Sequence, residues 1–175
     1  MSAADEILDV VDADDRVVGQ LPRGEVYARG LLHRCVFVLA RNPDGALFVH
    51  RRTATKLVFP SLYDMFVGGV VGAGEGYDDA ALREACEELG VASLPRPTPL
   101  FRFLYASADG AQQWWSAVYE VRVDAEVDPQ AEEVAWHAFL PEEEVRALLD
   151  TWEWVPDGRA AYEELLRHRE RPDRP

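Results

Sequence analysis

Long hydrophobic runs are missing from this sequence. No stretch approaches the ~18 apolar residues that a membrane-crossing helix needs, so no membrane span is expected. The opening MSAADEILDVV lacks a basic stretch followed by an apolar one, so no signal peptide is expected either. Cysteine is scarce. Cys35 sits in an apolar run and Cys86 in a helical pattern, not at metal-ligand spacing. The two read as buried free thiols in a reducing cytoplasm. Positive charge is short as well: 18 Lys and Arg face 32 Asp and Glu, a formal net charge of −14. Such a surface repels a nucleic-acid backbone, so no nucleic-acid polymer is expected as a partner. A small phosphorylated ligand remains compatible, because a metal and a few local cations can neutralise it. There is no internal repeat and no low-complexity linker.

What the sequence does have is enough apolar material, 48% of 175 residues, for one domain over 1–175 with a substantial core. Apolar runs at 7–11 (ILDVV) and 16–21 (RVVGQL) flank an Asp-rich turn and predict an N-terminal hairpin, 7–21. Residues 22–31 read as a turn or short helix. The run HRCVFVLA (33–40) predicts a buried strand, Asn42-Pro43-Asp44-Gly45 a turn, and ALFVH (46–50) the strand paired with it. Further strands are expected at 98–106, 113–123 and 133–140. Pro141 opens a helix, and another spans roughly 158–168, giving C-terminal helices over about 141–168. The tail Arg169–Pro175 is expected to fray. Strands with helices between and after them predict an α/β fold, a mixed sheet covered on both faces.

One stretch stands apart, Gly69–Val91, GVVGAGEGYDDAALREACEELGV. A glycine-rich segment feeds a helix of about three turns, with Asp78 as expected N-cap and Gly90 just past its end. Ala81, Leu82, Ala85 and Leu89 recur at helical spacing and should face the core, with Glu84, Glu87 and Glu88 on the opposite face. Carboxylates three and four residues apart repel. A hard divalent cation turns that repulsion into attraction, which points to a metal site for phosphate chemistry. Just upstream, Arg51, Arg52 and Lys56 form the densest positive cluster of the first half. Cations beside metal-binding carboxylates are what a diphosphate requires.

The same stretch resembles the Nudix box, G-x5-E-x7-R-E-U-x-E-E-x-G-U. Gly69, Glu75, Arg83, Glu84, Glu87, Glu88, Gly90 and Val91 match, with Ala85 as the small apolar residue after Glu84. Seven identities at fixed spacing arise by chance in about one window in ten to a hundred million. The resemblance implies a Nudix-type α/β/α sandwich. It implies a Mg²⁺- or Mn²⁺-dependent hydrolase cutting a nucleoside diphosphate linked to another group. Glu84, Glu87 and Glu88 would then be metal ligands and water activators, Arg83 would orient them by pairing with Glu75, and the Gly69 carbonyl would add a ligand. A non-catalytic nucleotide-binding Nudix domain is the alternative. A homodimer is the base-rate expectation for assembly.

The early DVVDADDRVVGQLPR, the LLHR at His33 and RRTATKLVFPSLYD resemble the Nudix branch that includes isopentenyl-diphosphate isomerases. That likeness gives Arg52 and Lys56 a diphosphate-binding role. The isomerase Cys and His fall at Gly68 and Val70, and its catalytic Glu near Trp114, so hydrolysis is expected rather than isomerisation. Several residues stay open. His33 could be structural or reach the site. Glu132 or Glu133 could supply an extra acid. One of Trp114 and Trp115, alternating on a strand, could stack on a base while the other packs. Trp152 and Trp154 read as packing residues, and His50, His137 and His168 have no evident partner.

Overall fold

A computed structural model describes residues 2–56 and 58–171. A short 3-10 turn leads into an antiparallel hairpin, β1 (Ile7–Val11) and β2 (Val17–Pro22). Its turn is tied by Asp12, whose Oδ1 accepts the Asp14 and Arg16 N–H groups at 2.9 Å each. The short helix α1 (Arg23–Ala28) follows.

The strands β3 (Arg34–Arg41) and β4 (Leu47–Arg52) flank the expected turn. There Gly45 takes φ +81°, which suits glycine, and Asn42 Oδ1 accepts the Asp44 and Ala46 N–H groups. The two strands then diverge, meeting in register only at Arg41 and Leu47. Each finds its main partner elsewhere: β3 runs parallel to β8 (Gln113–Arg122), and β4 antiparallel to β9 (Val134–Leu140). The wedge between them is filled by one segment. It pairs first with β4 as β5 (Tyr63–Asp64) and then with β3 as β6 (Val67–Val70). An outer strand, β7 (Thr98–Ala106), completes a mixed sheet.

Strand β3 is apolar without interruption because both its faces are covered. Val36, Val38 and Ala40 pack with Ala81, Ala85 and Leu89 of α2 (Tyr77–Leu89). Cys35, Phe37 and Leu39 pack with Val26, with Val145 of α3 (Glu142–Leu148), and with Tyr162 and Leu165 of α4 (Pro156–Glu170). The architecture is therefore the expected α/β/α sandwich. Cys35 is buried, Cys86 only half-buried, and both are free. Among the described residues no helix is long and apolar enough to cross a membrane.

Three local expectations shift. Helix α2 starts after Gly76, not Asp78, because Gly76 is still extended (φ −82°, ψ 155°). Asp78 instead accepts the Tyr119 hydroxyl at 2.7 Å. On the core face Ala80 is buried where Leu82 was expected, and Leu82 is half-buried. The tail does not fray from Arg169: α4 continues to Glu170, and Arg169 Nη1 binds Glu142 Oε1 at 2.6 Å. The rest of that expectation, residues 172–175, lies outside the described residues.

Gly90 ends α2 at φ +65°, and a Cβ there would lie 1.8 Å from the Asp128 carbonyl oxygen. Gly90→Ala is expected to lower stability by about 2–4 kcal/mol, from left-handed strain plus overpacking. The shift of a urea midpoint measures it.

Candidate active site

The loop before α2 and the helix itself are clasped by Arg83. Its Nε and Nη2 donate to Glu75 Oε1 and Oε2 at 2.8 and 2.9 Å, a two-pronged contact suited to a planar guanidinium. Its Nη1 donates to Glu84 Oε1 at 2.6 Å and lies 3.5 Å from Glu87 Oε2. Glu75 Oε2 also accepts the Gly72 N–H at 3.0 Å, which fixes the loop to the helix. One guanidinium thus touches three of the sequence-predicted acids.

The acids do not lie opposite the apolar face. Glu84 and Glu88 flank it, because each is one helical step from buried Ala85 or Leu89. Both are half-buried against β6, while Glu87 is exposed. Gly69 makes the close approach of Glu84 workable: a Cβ there would stand 2.7 Å from the Glu84 carboxyl carbon. Glu88 Oε2 accepts the Gly68 N–H at 3.1 Å. Burial, and then the negative charge of Glu84, push the Glu88 carboxyl up to about 8. Burial also raises Glu84, with Arg83 opposing it.

Across from these acids stand two of the three predicted cations. A cavity of about 240 Å³ is lined by Glu84, Glu87, Glu88, Arg52, Lys56 and Glu133, among others. Arg51 is not there. Alternate residues of a strand face opposite ways, so Phe48, His50 and Arg52 look into the cavity and Arg51 does not. Its guanidinium lies 5.5 Å from the centre of the Tyr63 ring, and its Nε donates to Ser61 O at 2.9 Å. Strand alternation from HRR was the signal that could have separated Arg51 from Arg52.

The region from residue 31 to 165 matches the model of the NUDIX domain. The chain belongs to the Nudix family. It is 70% identical, over 94% of its length and 91% of the relative's, to an uncharacterized Nudix hydrolase of Streptomyces coelicolor. An uncharacterized Nudix hydrolase of Pseudomonas aeruginosa is 41% identical over 82% of this chain and 85% of that one. The fold matches a crystal structure from Deinococcus radiodurans with TM-score 0.74 and 32% identity, covering 95% of this chain and all of that one.

Three hard carboxylates of the Nudix box around one cavity suit a divalent cation in chemistry. Burial raises the proton affinity of Glu84 and Glu88, with the charge of Glu84 adding to it at Glu88 and Arg83 opposing it at Glu84. They are not gathered as a ligand set: Glu84 is turned to Arg83 and Glu88 to Gly68, and no group of three such ligands is formed among the described residues. Gly69 borders a deeper cavity behind Glu84 rather than this pocket.

The residues left open in the sequence divide. Both Glu132 and Glu133 are exposed, but Glu133 lines the pocket in contact with Lys56, whereas Glu132 offers its carbonyl to Thr53 and does not line it. His33, 1% exposed, bonds Leu31 O through Nδ1 at 3.1 Å and borders the deeper cavity. Burial lowers its pKa. Trp114 borders that cavity too, its ring 5.5 Å from His33 and 4.7 Å from Tyr105. Trp115 faces away and donates to Asp12 O at 3.3 Å. Trp152 stacks on Tyr63 at 4.0 Å. Sequence reasoning missed His50, Asp64 and Asp157, which all border the deeper cavity. Burial drives His50 down to about 3 and Asp157 up to about 6. Only the i, i+2 relation of His50 to Arg52 could have signalled one of them.

Proposed function

We propose that this chain is a Mg²⁺- or Mn²⁺-dependent hydrolase that cleaves the pyrophosphate bond of a nucleoside diphosphate linked to another group, or of a related nucleotide. The observation that carries this reading is a single pocket with Glu84, Glu87 and Glu88 on one side and Arg52 and Lys56 on the other. Anionic oxygens of a diphosphate pair with the two cations. A bound divalent ion supplies polarisation of phosphoryl oxygens and a more acidic water. Arg83 fixes Glu84 against Glu75 and leaves the second Glu84 oxygen free of it. Glu88 keeps Oε1 available to take a proton from water while Oε2 is held by Gly68. A carboxyl with proton affinity near the working pH suits that task.

In this reading Arg52 binds substrate and Arg51 does not. Arg52→Ala is expected to raise KM about 10–100-fold, the worth of a charged hydrogen bond to phosphate. Arg51→Ala should change it less than about threefold. Steady-state kinetics of the two variants test the distinction.

The kinship to the isomerase branch belongs to the same proposal and does not extend to its chemistry. A Cβ at Gly68 would lie 1.9 Å from the Val36 carbonyl oxygen, so this backbone has no room for a thiol-bearing side chain. A binding module is the second reading, favoured by the acids that Arg83 and Gly68 hold apart. A panel of nucleotides, nucleotide sugars, dinucleoside polyphosphates, coenzyme A and prenyl diphosphates separates the two. Metal-dependent release of phosphate, pyrophosphate or nucleoside monophosphate is expected from at least one compound. No turnover, with ligands still raising the Tm, would establish the binding module instead.

A further inference from the structure

The N-terminal hairpin lies ahead of residue 31, where the match to the NUDIX domain begins. It forms a two-stranded sheet of its own, yet it grips the Nudix box at two places. The first is the loop before α2. Leu8 forms an antiparallel bridge with Gly72, and Ile7 O accepts the Ala73 N–H at 2.9 Å. One residue on, Gly74 takes φ +74° and donates its N–H to Asp9 Oδ2 at 3.0 Å. The second place is the start of the helix. Asp15, in the turn of the hairpin, accepts the hydroxyl of Tyr77, the first residue of α2, at 3.0 Å. The hairpin is itself fastened to the main sheet. Arg34 of β3 and Arg102 of β7 bond the Asp15 carboxylate at 2.7 and 2.8 Å, and the Val11 N–H donates to Leu32 O at 3.0 Å.

Asp9 is the costly part of this arrangement. It is 5% exposed, and its bonded partners are both neutral: the Gly74 N–H and the Gln20 side-chain amide, whose Nε2 donates to Oδ1 at 2.9 Å. Burying a carboxylate that is bonded to no cation costs stability, and an apolar residue would serve the strand better. What the carboxylate adds is an acceptor for the loop. The loop segment GAGEG has few side chains to hold it, and glycine backbone loses the most freedom on ordering. Its one long side chain, Glu75, follows Gly74 directly and joins Gly72 to Arg83, which in turn holds Glu84.

We propose that the hairpin braces the Nudix loop and that Asp9 is a positioning residue: through Gly74 it sets the place of Glu75, and through Glu75 and Arg83 the orientation of Glu84. The consequence for turnover rests on the hydrolase reading above. A loop released from Asp9 spends part of its time with Glu84 misdirected, which lowers kcat. Arg52 and Lys56 are carried by β4 and the loop after it, so KM should hold.

The test compares Asp9→Leu, close in shape but without an acceptor, with Asp9→Asn, which keeps one. Hydrogen exchange of the Gly74 amide and of the Arg83 Nε–H is followed by ¹⁵N NMR on the full chain in EDTA. The Val36 and Val38 amides of β3 report on the fold. In Asp9→Leu, Gly74 and Arg83 should both exchange about 10-fold faster, with the β3 amides at wild-type rates. With metal, kcat should fall about 3–10-fold, less than for a residue that touches Glu84 directly, and KM should stay within about twofold. Asp9→Asn should remain near wild type in every measurement. If Asp9→Leu lacks a native spectrum, Asp9→Ser, one atom shorter than the aspartate, replaces it with the same expectations. Wild-type exchange at Arg83 without the acceptor, equal acceleration of the β3 amides, equal losses in Asp9→Asn, or unchanged kcat in an active enzyme would overturn the proposal. A wild type that hydrolyses no diphosphate would remove the hydrolase reading, and the exchange rates would still decide whether the hairpin braces the loop.

Discussion

Glu88→Gln is expected to lower metal-dependent kcat/KM by about 10²–10³-fold while making the metal-free protein more stable above pH 7. The two effects share a cause. Glu88 is half-buried beside Glu84, and the folded chain holds its proton up to about pH 8, against a usual value of 4.5. The folded state therefore binds more protons than the unfolded chain between those values. Stability from this group is fully present below 4.5 and is lost as pH rises through 8. Each unit of separation corresponds to about 1.4 kcal/mol, so the loss amounts to a few kcal/mol at most. An amide keeps the shape and the bond from Gly68 without the charge. Thermal melts in EDTA should show the variant above wild type at pH 8, with the gap closing toward pH 5. A variant less stable than wild type at pH 8 would mean that Glu88 is not held against its charge.

Arg83→Gln is expected to lower kcat/KM about 10–100-fold without contacting substrate, the effect typical of groups that orient metal ligands. Arg83 holds Glu75 with two bonds and Glu84 with one. Lysine cannot reproduce that planar fork, so Arg83→Lys should recover little. Glu75→Gln removes the other half of the clasp. Residues that act as one unit are non-additive, so the double variant Arg83→Gln with Glu75→Gln should be scarcely worse than Arg83→Gln alone. Multiplying losses would show that Glu75 acts separately from Arg83. Melting curves of the same variants separate a displaced acid from a damaged fold.

Much of the architecture was legible because its signals are local. The turn at Asn42–Gly45, the outer strand Thr98–Ala106 and the end of α2 at Gly90 follow from turn chemistry and apolar patterning, and they stand where expected. The Nudix box was legible for a different reason: fixed spacing on one loop and helix encodes the chemistry directly. What the sequence hid is the divergence of β3 from β4. Nothing local says that a hairpin will share a single register pair and take a segment of 63–70 into its wedge. That wedge brings Asp64 opposite His50 and sets both beside a cavity that Asp157 also borders, from a helix more than ninety residues further on. Arg51 misled because three nearby cations were read as one cluster without assigning strand faces. Arg169 misled because a polar C-terminal run looks frayed until Glu142 is placed beside it.

In the proposed hydrolase, the pocket of Glu84, Glu87, Glu88, Arg52 and Lys56 directs water onto phosphorus. Turnover of the diphosphate panel in ¹⁸O-enriched water, with Mg²⁺ or with EDTA, tests it most directly. Metal-dependent cleavage of at least one compound is expected, with one ¹⁸O in a phosphoryl product and no cleavage in EDTA. Isomerisation of isopentenyl diphosphate without phosphate release would contradict it. So would cleavage that leaves every phosphoryl product unlabelled, or no cleavage of any compound.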